Sequence, residues 1–147
     1  MMRAGGSSAG FGRRLAALLY DALLLAALLL VYSALAVAIN RGHALEPATG
    51  VAWVLYRSGE VAVIATYFVV NWTRSGQTLG MRAWGLHAVD EQGRRLRVLR
   101  ALLRFVWATL AWLPGALGVL FLYLDPEHLP LHDRLSRTRL LYVPRRG

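Results

Sequence analysis

Cysteine and lysine are both absent from the 147 residues. Without cysteine the chain has no disulfide, no thiolate metal site and no cysteine nucleophile. Acidic side chains are few, with 8 Asp and Glu against 17 basic residues and a net charge of +9. With no lysine, all the fixed positive charge is guanidinium. The four histidines, His43, His87, His128 and His132, are too scattered for a metal site. The Gly-rich N-terminus lacks the strand–turn–helix setting of a phosphate loop, and no HExxH or GxSxG motif occurs. With no nucleophile and no ligand cluster, neither an enzyme nor a metal or cofactor protein is expected.

What the chain has in excess is apolar surface. Hydrophobic residues make up 56% and charged residues 17%, with a mean hydropathy of +0.42. A water-soluble domain carries roughly 45–50% apolar residues, so the surplus must meet lipid or partners. The arginines flank long apolar runs, and the tyrosines and tryptophans lie mostly inside those runs. That arrangement argues against a nucleic-acid partner and for lipid phosphate, which guanidinium binds bidentately.

Residues 1–10 are Gly/Ser-rich and read as disordered. Residues 15–39 are apolar apart from one charge, Asp21. At 1.5 Å per residue they exceed the roughly 30 Å hydrocarbon core, and they read as a retained anchor, too long for a signal peptide. Residues 51–72 form a second span, with Arg57 and Glu60 three apart and able to pair, and with Trp53, Tyr56 and Trp72 as interface anchors. Residues 73–80 read as a turn, 81–90 as a strand, and 140–143 as a short strand able to pair with it.

Over 94–106, Arg94, Arg97, Arg100 and Arg104 share one side of a helical projection, with the leucines opposite. That is the pattern of a cationic amphipathic helix whose arginines meet anionic headgroups. The third apolar run, 105–124, is divided by Pro114–Gly115. It either crosses as a kinked helix or turns back as a re-entrant hairpin.

The positive-inside rule orients these spans. Arg3, Arg13 and Arg14 precede the first, and six arginines occupy 73–100, whereas the 40–50 loop holds Arg41 and Glu46. The N-terminus and second loop are then cytoplasmic, in the inner (plasma) membrane. Five arginines in the tail sit on the wrong side if the third run crosses once. The fold class expected is an all-α integral membrane protein with two to three transmembrane helices, a small β element and an amphipathic helix on the cytoplasmic side. Residues 11–143 form its single domain and 144–147 a basic tail.

Asp21 would lie about 9 Å inside the first helix, where a carboxylate costs a few kcal/mol unless partnered. Arg14 is seven residues earlier on the same face, and Asp133 sits in LHDRLSRT. Three ordered motifs, RRLAALLYD, GQTLGMRAWGLHAVDEQGRRLRVLRALLR and LHDRLSRTRLLYV, make the chain similar to the RDD membrane proteins, a family named for one arginine and two aspartates. The resemblance covers 11–143 and implies Arg14, Asp21 and Asp133 as the signature residues, with Gly76, Gln77, Thr78 and Gly80 as the loop motif. Met81 departs from the lysine often found there. From the residues alone, Gln77 and Thr78 read as shaping backbone more than binding a ligand.

Two functions stay open. One is a transport role, as a cation/proton exchanger or a transporter subunit, with Asp21 binding the ion or proton; the resemblance implies such a role. The other is a non-catalytic structural or assembly partner in which Arg14, Asp21 and Asp133 form a buried network. Water access to Asp21 discriminates between them. The partners expected are the lipid bilayer, anionic lipid headgroups, and either a second copy or another membrane protein.

Overall fold

The computed structural model describes residues 7–43, 50–112 and 135–143. In chain order they form β1 (Ser7–Ser8), α1 (Phe11–Ile39), α2 (Val51–Arg74), α3 (Leu79–Ala83), β2 (Leu86–Asp90), α4 (Val98–Trp112) and β3 (Thr138–Tyr142).

The two long helices come from the two long apolar runs. α1 has 29 residues and α2 has 24, about 44 and 36 Å at 1.5 Å per residue, each long enough to cross a bilayer core. Among the described residues almost nothing covers them. Only Ala17 and Asp21 of α1 and Trp72 of α2 are buried. Leu23, Leu30, Val31, Ile39, Val51 and Leu55 are all at least 60% exposed, an apolar surface that water does not favour and lipid does.

The buried core gathers at one pole of the helix pair. Ala9, Ala17, Trp72, Met81, Leu86, Ala88, Leu96, Ala101 and Leu140 form it. Over it lies a three-stranded antiparallel sheet in the order β1–β3–β2. Leu86 pairs with Tyr142 and Asp90 with Thr138, while Ser7 and Ser8 pair with Tyr142 and Leu141. Chain from before α1, from after α2 and from beyond α4 thus meets in one sheet.

Three expectations need correction. The strand expected over 81–90 is half helix, because the Thr78 side chain caps α3 by accepting from the Met81 N–H. The strand begins only after Gly85, at φ +67. The helix expected from residue 94 begins at Val98. The preceding turn is held by Asp90, whose Oδ1 accepts the Gln92 and Arg94 backbone N–H groups at 3.0 and 2.8 Å. Last, the arginine side expected over 94–106 does not all face outward. Ala101 and Arg104 are buried, while Leu99, Leu102, Leu103, Val106 and Leu110 are exposed. The third apolar run beyond Trp112, with its Pro114–Gly115 break, lies outside the described residues.

Candidate functional site

The Asp21 carboxylate lies at the pole where α1 meets α2 and α3, and it is 3% exposed. Three donors converge on it. The Tyr67 hydroxyl of α2 donates to Oδ1 at 2.7 Å, the Gly80 backbone N–H of α3 donates to the same oxygen at 2.8 Å, and the Thr78 hydroxyl donates to Oδ2. Both carboxylate oxygens therefore have protein donors.

Each donor is placed by local chain chemistry. Thr78 is the residue before α3, so its oxygen accepts the Met81 N–H at 3.1 Å while its proton goes to Asp21. Gly76, at φ +72, makes the turn that brings the chain off α2. The Gln77 amide donates to the Leu86 carbonyl at 2.8 Å and meets the His87 Nε2 at 2.9 Å, fastening the loop to β2. Gly80 is set by space. A Cβ there would stand 2.2 Å from the Ala17 carbonyl oxygen and 2.9 Å from the Asp21 Cγ. Only glycine lets α3 lie on the α1 backbone.

Asp21, Thr78 and Gly80, separate in the sequence, are therefore one site, and Gln77 and Gly76 support it. Tyr67 was not among the residues singled out from the sequence. One hydroxyl in an aromatic and β-branched run reads as a span residue. Arg14 is half-buried and turns back to the chain entering α1, its Nε donating to the Ala9 carbonyl at 2.8 Å. Asp133 lies outside the described residues.

The four arginines assigned to headgroups do not act alike. Arg97 is exposed. Arg94 and Arg100 each reach Asp90 Oδ2 at 3.2 Å. Burial pushes the Asp90 carboxyl up, but the Arg94 backbone N–H, the Arg94 guanidinium and the Gln92 N–H outweigh it and hold the group below its ordinary value. Arg104 is buried and corrects the expectation for that residue. Its Nη1 donates to Thr138 Oγ1, and its guanidinium carbon lies 5.1 Å from the centre of the Trp72 ring. Thr138 Oγ1 is also 2.8 Å from the Ser136 hydroxyl. Arg104 thus ties α4 to α2 and β3.

Farther along the helix pair the contact is different. Tyr32 stacks on Tyr56 at 5.5 Å and donates to its carbonyl, and Ser33 bonds the Tyr56 hydroxyl. Arg57 and Glu60 pair within α2. Among the described residues no group of histidine and acidic side chains could hold a metal ion.

The model of one protein family, described as the RDD family, matches residues 8–137. No curated protein and no solved structure matches the chain.

Proposed function

The chain belongs to the RDD family, and from that premise we propose that this small membrane protein is a non-catalytic structural or assembly partner in a membrane complex. One observation carries the reading. The one carboxylate of α1 is enclosed and occupied by three protein donors, whereas a transport site has to exchange its ligands with water. Asp21 fastens α1 to α2 and to the loop that follows, which leaves two long apolar helix surfaces for lipid and a partner helix.

The setting is the inner (cytoplasmic) membrane, crossed by α1 and α2, with the sheet on the cytoplasmic side. Support comes from the sheet, which joins chain before α1 to chain after α2. Arg74, Arg82, Arg94, Arg95 and Arg97 lie on that side and fit the positive-inside rule. Arg137 and Arg139, just before β3 and within it, fit the same side through the pairing of β3 with β2.

A second reading, cation/proton exchange, is favoured by one feature: two of the three donors on Asp21 are hydroxyls that could pass a proton. The test is purified protein in liposomes with an internal pH dye, under Na⁺, K⁺ or Li⁺ gradients. The structural reading expects no cation-dependent proton movement in folded wild type. Movement that disappears in a folded Asp21→Asn variant would replace it with the exchanger.

A further inference from the structure

Where α2 ends, the chain leaves a cleft of about 480 Å³ between the last turn of the helix, the outer side of β2 and the turn before α4. Ser75, Gly76, His87, Gly93, Arg94 and Arg95 line it. We infer that this cleft seats the phosphate of an anionic phospholipid, held by Arg95 and Arg94 with His87 as a neutral donor.

The available donors decide the chemistry. Arg95 gives one N–H, from Nη1, to the Arg74 carbonyl at 2.9 Å. That bond covers the negative C-terminal end of α2 and leaves the rest of the fork without a partner among the described residues. Arg94 commits Nε to Asp90 and Nη2 to Gln92, which leaves Nη1. The Gln77 amide donates one proton to Leu86 O and the other to His87 Nε2. His87 is then the tautomer with its proton on Nδ1, and burial holds its pKa down, so it is neutral. Ser75 is fully used in shaping the turn, donating towards Asn71 O and Gln77 O. Among the described residues no acidic side chain lines the cleft, and the carboxylate beside it, Asp90, is already taken up by two arginines and two N–H groups.

Geometry selects the ligand. Gly76 and Gly93, at φ +72 and +73, keep two walls free of side chains, so the cleft admits a group the size of a phosphodiester. Two guanidiniums from adjacent residues favour tetrahedral oxyanions. The cleft abuts the final turn of a helix long enough to cross the bilayer, which is the level at which headgroup phosphates lie. The inference rests on α2 spanning the membrane and not on the role given to Asp21.

The test is native mass spectrometry of protein released from micelles holding equal phosphatidylglycerol and phosphatidylcholine, with Arg95→Gln and Arg97→Gln as variants. Flotation with phosphatidylcholine vesicles reports insertion separately, so a failure to insert is distinguishable from a failure to bind. Wild type is expected to retain phosphatidylglycerol in preference, Arg95→Gln to lose roughly five-fold in that preference, and Arg97→Gln, whose charge is as exposed but outside the cleft, to keep it. Equal losses in the two variants, or no preference in an inserted wild type, would overturn the site. Displacement of the lipid by millimolar glycerol phosphate, with glycerol phosphate itself retained in pure phosphatidylcholine micelles, would overturn the lipid in favour of a soluble phosphate.

Discussion

α1 is held in two places, by α3 and α2 at the sheet end and by α2 alone farther along, and the two contacts are built differently. At the sheet end the contact uses backbone and charge: the Gly80 N–H on Asp21, and an α3 backbone lying against the Ala17 carbonyl. Toward the far end it uses the tips of side chains, with the Tyr32 hydroxyl over Gly59 and Ser33 against the Tyr56 hydroxyl. Each place has a glycine that a methyl group would crowd. At Gly80 the nearest obstacle is backbone, at 2.2 Å; at Gly59 it is the end of a flexible phenol, at 1.9 Å. The shorter distance is the less serious one, because the phenol can swing aside and the carbonyl of a continuous helix cannot. One end is therefore fixed and the other adjustable.

This contrast can be broken at several points. The largest effect is expected from Gly80→Ala, which must push α3 off α1 and take the amide away from a buried carboxylate. A loss of about 3 kcal/mol or more is expected, seen as rapid proteolysis of the loop after α2 or failure to recover folded protein in detergent. Arg104→Met should lose about 1–3 kcal/mol by leaving Thr138 and the Trp72 face without the guanidinium. Arg97→Gln, one residue before that helix, should stay within about 0.5 kcal/mol, both read from thermal melts in one micelle. Gly59→Ala should cost under about 1 kcal/mol and shift Tyr56 fluorescence as Tyr32 moves. A melt as damaged as that of Gly80→Ala would erase the distinction between the two ends.

The smallest effect concerns acid. The folded-state pKa of Asp90 is lowered, so its contribution is present above the unfolded carboxyl value, about 3.9, and fades as pH falls through the lower folded value. Asp90→Asn should be less stable than wild type at pH 7, and the gap should narrow below about pH 4. A gap of constant size down to pH 2 would show that the arginines and N–H groups do not act through its charge.

The parts of this fold legible in the sequence were those written in composition. A 25-residue apolar run can hardly be anything other than α1, and the alternation at Leu86–Asp90 and the apolar Leu140–Tyr142 stretch gave the paired strands. The motif GQTLG marked the loop, yet spacing did not reveal that Thr78 and Gly80 reach back to Asp21, since that contact depends on α3 folding onto α1. The helical projection of 94–106 separated arginines from leucines correctly. It could not say which side faces in, because beside lipid the apolar side turns outward, and so Arg104 was assigned to headgroups when it lies against Trp72. Tyr67 escaped notice for the same reason: inside an apolar span, one inward hydroxyl leaves no periodic trace.

Whether Asp21 is a fixed clamp between helices is read from the melting temperature of Asp21→Asn against wild type in identical micelles at pH 7. Asparagine keeps the shape but replaces one acceptor oxygen with a donor facing either the Thr78 hydroxyl or the Tyr67 and Gly80 donors. A clear fall in melting temperature is expected, corresponding to about 2–4 kcal/mol. An unchanged melt would contradict it, and would mean that the carboxylate is kept for something other than holding the fold.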